Sequence, residues 1–226
     1  MKKTVFFFLL LVLLGTMGVT GLAWAQVQKL PTQPQPYKPI PHSQKLLPHE
    51  SKTVFVTSQT YTGNLDGPTG ADQKCQQLAN AAGLSGTYKA WISGVGPQGL
   101  IGPDTSFTHS TVPYLRVDGV VIANNWTSLN TSPYLLNPIF IDERGQIIPT
   151  ISYGVWTGIS PKTGPGQVGF FNNGSQLTCN NWSSSGGLPN LAIIGSIYVD
   201  NKHMESWTMI DANSCDHLNH LYCFQQ

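Results

Sequence analysis

The stretch GADQKCQQLANAAGLSGTYKAW, residues 70–91, decides how the rest of the chain is read. Its apolar positions, Ala71, Cys75, Leu78, Ala79 and Ala82, recur every three to four residues and therefore fall on one stripe of a helix. Thr69 with Asp72 three residues later reads as a capping pair for the first turn. Gly83 supplies a left-handed stop after which Leu84 can fold back. The spacing predicts a helix over about 70–82 that points Cys75 into a core. On that stripe a cysteine is a small hydrophobe, a metal ligand or half of a disulfide, and the compartment decides among these.

The amino-terminal residues bear on the compartment. Lys2 and Lys3 precede an apolar run from Val5 to Leu14, and Ala23-Trp24-Ala25 places small residues around a cleavage point. Residues 1–25 read as a signal peptide, so the mature chain is expected outside the cytoplasm (periplasm, cell surface or medium), where disulfides persist. No later run reaches the roughly 18 apolar residues that a membrane span requires. Residues 26–51 carry Pro31, Pro34, Pro36, Pro39, Pro41 and Pro48 with few apolar side chains, and read as an extended, disordered Pro/Gln-rich spacer. Residues 52–226 show no comparable break and are read as one domain.

Loss of Lys2 and Lys3 leaves ten of the twelve Lys and Arg against eleven Asp and Glu, a formal charge of minus one. Only Arg116 and Arg144 are arginines, and no window clusters positive charge, which argues against nucleic acid and heparin-type polyanions as partners. The charged fraction of 10% with 23 glycines fits an extracellular, loop-rich or β-rich domain.

Strands are expected at 53–57, 88–93, 154–158, 167–171, 191–199 and 221–224. Hairpins are expected across 113–123, around Asp118-Gly119, and across 139–148. The fold class is α+β: one or two helices on a twisted, mainly antiparallel sheet with long loops. The cysteines are Cys75, Cys179, Cys215 and Cys223, whose three possible pairings the residues alone do not rank.

Several segments together resemble the endostatin domain and, more broadly, the C-type-lectin-like fold. They are residues 70–93, VIANNWTSL (121–129), VWTG (155–158), CNNW (179–182) and SCDHLNHLYC (214–223). The combination is also similar to a bacterial family of exported domains of uncharacterised function. The resemblance implies two nested disulfides, Cys75 with Cys223 and Cys179 with Cys215, worth at most about 5 and about 4 kcal/mol in the chain-entropy view. Cys75 is then a staple that holds the two ends of the domain together.

The resemblance does not extend to calcium-dependent sugar binding. The Trp-Asn-Asp expected directly before the third cysteine is replaced by Ile210, Asp211 and Ala212, and no Glu-Pro-Asn or Gln-Pro-Asp occurs in the loop region. A competing zinc reading rests on Cys215, His217, His220 and Cys223, but His220 falls on the opposite face of an extended strand and an oxidising compartment consumes both thiols.

No G-x-S-x-G, H-E-x-x-H or P-loop is present, and no cofactor is expected. Trp91, Trp126, Trp156, Trp182 and Trp207 sit in apolar segments and read as core. Asn125, Asn130, Asn173 and Asn181 begin N-x-S/T sequons.

The functional expectation is an exported, non-enzymatic recognition module that contacts an extracellular glycan or protein. Its preferred surface is 183–212, with Asp200, Asn201, His203 and Glu205 as contact candidates. The alternatives are a secreted hydrolase using His203 and Glu205, and a structural envelope or matrix component anchored through the Pro-rich segment.

Overall fold

The computed structural model describes residues 51–131, 135–149, 151, 154–159, 176–197 and 207–226. The signal peptide, most of the spacer, the expected strand at 167–171, and Asp200, Asn201, His203 and Glu205 lie outside the described residues.

The opening helix, α1 (Gly67–Ala81), buries Gly70, Ala71, Cys75 and Ala79, the stripe predicted from spacing. Its carboxyl end is also as expected. Gly83 takes φ 71°, its N–H donates to the Asn80 carbonyl, and the Leu84 N–H reaches back to the Ala79 carbonyl at 2.9 Å. The amino end differs from expectation. Asp66 and Gly67 turn the chain with φ 63° and 77°, and Pro68 pre-sets the first turn, so the helix begins three residues before the predicted start and Thr69 is inside it.

Asp72 does not cap. Its Oδ1 accepts the Ala90 N–H at 2.8 Å and pins the next strand to the helix. Burial pushes the Asp72 carboxyl up to about 6, outweighing the downward pull of that hydrogen bond and of Lys89. The folded state thus holds this proton more tightly than the unfolded chain does. The stability it contributes is complete below about pH 4 and is lost as pH rises through about 6. Asp72→Asn, which keeps an oxygen for Ala90, should raise stability at pH 7.5 by on the order of 1 kcal/mol and leave it unchanged near pH 4. Urea unfolding at the two pH values measures this; equal effects at both would refute the assignment.

The remaining helical segments are short: α2 (Pro103–Ser106), α3 (Trp126–Thr131) and α4 (Cys179–Trp182). Four segments replace the one or two expected, and only α1 is long. In α4 the four residues take φ of 50°, 53°, 56° and 61°, a left-handed turn in a chain of L-residues. Such backbone costs roughly 1–2 kcal/mol per residue, least where Asn sits, as at Asn180 and Asn181. Its neighbours hold it: Cys179 is covalently tied, and the buried Trp182 donates Nε1–H to the Ser93 carbonyl at 2.6 Å. The Asn181 amide both accepts from and donates to the Val95 main chain, at 2.7 and 3.0 Å, so this sequon's side chain is already committed.

Ten strands follow in chain order: β1 (Lys52–Val56), β2 (Tyr88–Ala90), β3 (Gly94–Gly96), β4 (Gly99–Ile101), β5 (Tyr114–Arg116), β6 (Val121–Ala123), β7 (Gly154–Trp156), β8 (Leu191–Ser196), β9 (Asp211–Ser214) and β10 (Tyr222–Gln225). They make a five-stranded sheet ordered β2-β10-β1-β5-β6, a three-stranded sheet β7-β8-β9 and the small hairpin β3-β4. Pairing is antiparallel except between β1 and β5, where the long crossover from residue 57 to 113 permits a parallel match of Thr53 with Leu115. Both predicted hairpins form. One turns at Asp118-Gly119 between β5 and β6; the other carries the bridge Ile141–Ile147 and an Asp142 N–H bond to the Gln146 carbonyl.

The two disulfides are Cys75–Cys223, spanning 148 positions, and Cys179–Cys215, spanning 36. All four cysteines are fully buried. The outer bond joins α1 to β10 and the inner joins α4 to the loop after β9. Both sulfurs of the Cys215-His217-His220-Cys223 quartet are therefore consumed, each with a partner outside it. His220 is buried with Nδ1 2.6 Å from the Thr57 carbonyl, while His217 is exposed beside Asp216 at 3.4 Å.

Around one side of the large sheet Trp91 stacks within 4.9 Å of Trp207 and 5.0 Å of Phe224, with Trp126 and Phe107 completing an aromatic cluster. A second cluster encloses both disulfides with Phe55, Trp156 and Trp182. All five tryptophans assigned to the core are buried.

Candidate functional site

The stretch 183–212, expected to be one presenting loop, is not one. Its middle is β8, the central strand of the β7-β8-β9 sheet, and Ala192, Ile193 and Ile194 are buried. The run IIGSI could not stay in a solvent-facing loop, because burying it yields about 1.5–3 kcal/mol per large aliphatic side chain. What the described part of this region presents is one face of the three-stranded sheet.

Register builds that face. Trp156 pairs with Ile194 and Gly154 with Ser196, while Ile194 pairs with Asp211 and Ala192 with Asn213. Side chains alternate along strands, so Gly154, Ile194, Asp211 and Asn213 share a side. Gly154 contributes no side chain, and the Asn219 amide oxygen fills the place that a Cβ would take. A cleft of about 350 Å³ opens there, lined by Ile151, Gly154, Ile194, Ile210, Asp211, Asn213, Leu218 and Asn219.

The far wall of the cleft comes from the segment between the two carboxyl-terminal cysteines. Asn219 exchanges main-chain hydrogen bonds with Tyr61 at 2.8 and 3.0 Å, and the His220 N–H donates to the Gly154 carbonyl at 2.9 Å. With Cys215 and Cys223 bonded on either side, Leu218 and Asn219 stand on a fixed frame. The rim is aliphatic: Ile151 is 91% exposed, Leu218 63% and Ile210 38%.

The floor is polar. Asp211 accepts the Ala212 N–H on Oδ1 at 2.8 Å, and the Asn213 amide donates to Asn219 Oδ1 at 3.5 Å, the limit of a hydrogen bond. Asn219 is 4% exposed and its Nδ2 has no partner. No Lys, Arg or His lines the cleft, and Asp211 is its single ionisable group. Among the described residues no group of three or more His, Cys, Asp or Glu is arranged to hold a metal ion, and no helix is long and apolar enough to cross a membrane.

A family described as "Protein of unknown function (DUF1554)" matches residues 58–202. The chain belongs to this family. The DUF1554 match takes in α1 through β8, including Gly154 and Ile194 of the cleft, and stops before β9 and β10. No curated protein matches the chain.

Of the cleft residues, sequence reasoning had singled out only Ile210 and Asp211, as occupants of a missing calcium triplet. The cleft is assembled from four separated segments, and its strand β9, Asp-Ala-Asn-Ser, has none of the branched or aromatic residues that mark strands. One usable signal was present: Leu218 is an aliphatic residue in an otherwise polar run between two cysteines.

Proposed function

We propose that this DUF1554 chain is an exported, non-enzymatic recognition module of C-type-lectin-like fold. The nested disulfides support the fold reading, because they join the first helix to the last strand in the pairing that the resemblance implied. Four buried, oxidised cysteines support an extracytoplasmic setting.

The observation that carries the binding role is the concave, aliphatic-rimmed cleft over β7-β8-β9 held on that frame. Soluble surfaces seldom cluster exposed aliphatic groups around a polar concavity unless something docks there. Asp211, the one ionisable group lining the cleft, has no titratable partner in that lining for acid/base work. Asp200, Asn201, His203 and Glu205 stay as the candidate contacts from the neighbouring stretch of sequence.

The test is a screen of the full chain against neutral glycans and extracellular surface proteins, with and without calcium. Wild type should bind one of them independently of calcium, and Leu218→Asp should lose that binding. Alanine variants at Asp200, Asn201, His203 and Glu205 test the second set. Turnover of an ester, peptide or glycoside substrate that disappears in His203→Ala would instead establish the hydrolase.

A further inference from the structure

The chemistry of the cleft narrows the class of its ligand. Ile151, Ile210 and Leu218 are three of the eight large hydrophobic residues exposed among the described residues, and all three stand on this one rim. The floor carries an acceptor, the Asp211 carboxylate, and two amides, yet Asn219 Nδ2 is unpartnered, which leaves the floor one acceptor short. A ligand that satisfies it presents a donor and an acceptor side by side. An anion is disfavoured, since it would meet a carboxylate and no cation in the lining. A sugar ring finds no aromatic platform either: the five tryptophans of the domain are each at most 7% exposed.

Resting on the reading of the chain as a recognition module, we propose that the cleft receives an uncharged, extended segment of a partner protein. One aliphatic side chain of that segment enters between Ile151, Ile210 and Leu218. A neighbouring main-chain amide donates its N–H to Asp211 and offers its carbonyl to the Asn213–Asn219 pair. A volume of about 350 Å³ accommodates such a side chain with its adjoining amide. The amide meets both demands of the floor, and the aliphatic group removes the rim from water.

An array of acetylated, amidated hexapeptides tests this, probed with the labelled full chain. It holds uncharged Leu-, Ile- and Val-bearing sets, matched sets with Glu substituted, and a panel of neutral oligosaccharides. Retention is expected on the uncharged peptides, at least tenfold weaker on the Glu-bearing ones and insensitive to chelator. Leu218→Asp should reduce it at least tenfold. Leu188→Asp, at a side chain 78% exposed outside the cleft, should not. Both variants are to be compared at unchanged thermal midpoint. Retention on oligosaccharides alone overturns the peptide ligand while leaving the recognition role standing. Retention of neither class overturns both. Peptide retention that survives Leu218→Asp overturns the cleft as the site.

Discussion

Cys75→Ala combined with Cys223→Ala is expected to lower the unfolding free energy by about 5 kcal/mol, corresponding to a drop of roughly 10–20 °C in thermal midpoint for a domain of this size. The bond closes a loop of 148 positions, so its removal releases more conformational freedom in the unfolded chain than removal of the 36-position inner bond, whose loss is expected to cost about 4 kcal/mol. Packing adds to the entropy. Both sulfurs are fully buried in the cluster with Phe55, Tyr88 and Leu221, and alanine leaves a void beside the helix stripe. Thermal or urea unfolding of the oxidised protein and of the two paired variants gives the comparison. If the outer pair cost less than the inner, the account of Cys75 as the main staple would fail.

Gly195→Ala should be comparably severe, at roughly 3 kcal/mol or more. Gly195 lies in the central strand β8, and a Cβ there would collide with the Trp207 carbonyl oxygen, with its carbon 2.7 Å away and that of Thr208 at 3.1 Å. This is main chain with little freedom to yield. The Thr157 hydroxyl donates to the Thr208 carbonyl at 2.6 Å, the Ile210 N–H donates to the Ile194 carbonyl at 2.8 Å, and Trp207 is wedged against Trp91 and Tyr222. The variant is expected to show a lowered midpoint and a red-shifted tryptophan emission. Gly186→Ala, whose Cβ would meet only side-chain atoms at 3.3 Å or beyond, is the matched control and should change little. Equal behaviour of the two would refute the collision.

What could be read from the sequence were the features in which local chemistry and tertiary demand coincide. The stripe through Cys75, the Gly83 stop and the Asp118-Gly119 turn each use residue types whose backbone or packing preference has a single outlet in a folded chain. Where tertiary structure overrides local preference, the residues mislead. Asp72 has the spacing of a capping partner but is drawn to Ala90, because Asp66 and Gly67 start the helix earlier. CNNW looks like an ordinary polar turn, and its left-handed path follows from the inner disulfide and the Val95 clamp, neither of them local. β9 is a strand only because β8 lies beside it, with Ile193 opposite Ala212. The cleft was the hardest to foresee: its residues become a site only after two strand registers and one glycine bring them to the same face. The cysteine pairing came from family resemblance and not from the residues, which left three arrangements open.

The position of β10 governs how this polypeptide can be produced. It lies inside the large sheet, between β1 and β2, and supplies one half of the long covalent link. A nascent chain leaving a ribosome or a translocation channel amino end first therefore cannot close that sheet until Tyr222–Gln225 has emerged. Until then β1 lacks one neighbour and Cys75 lacks its mate, so the chain stays threadable and reducible, and oxidation seals it only after the last strand arrives.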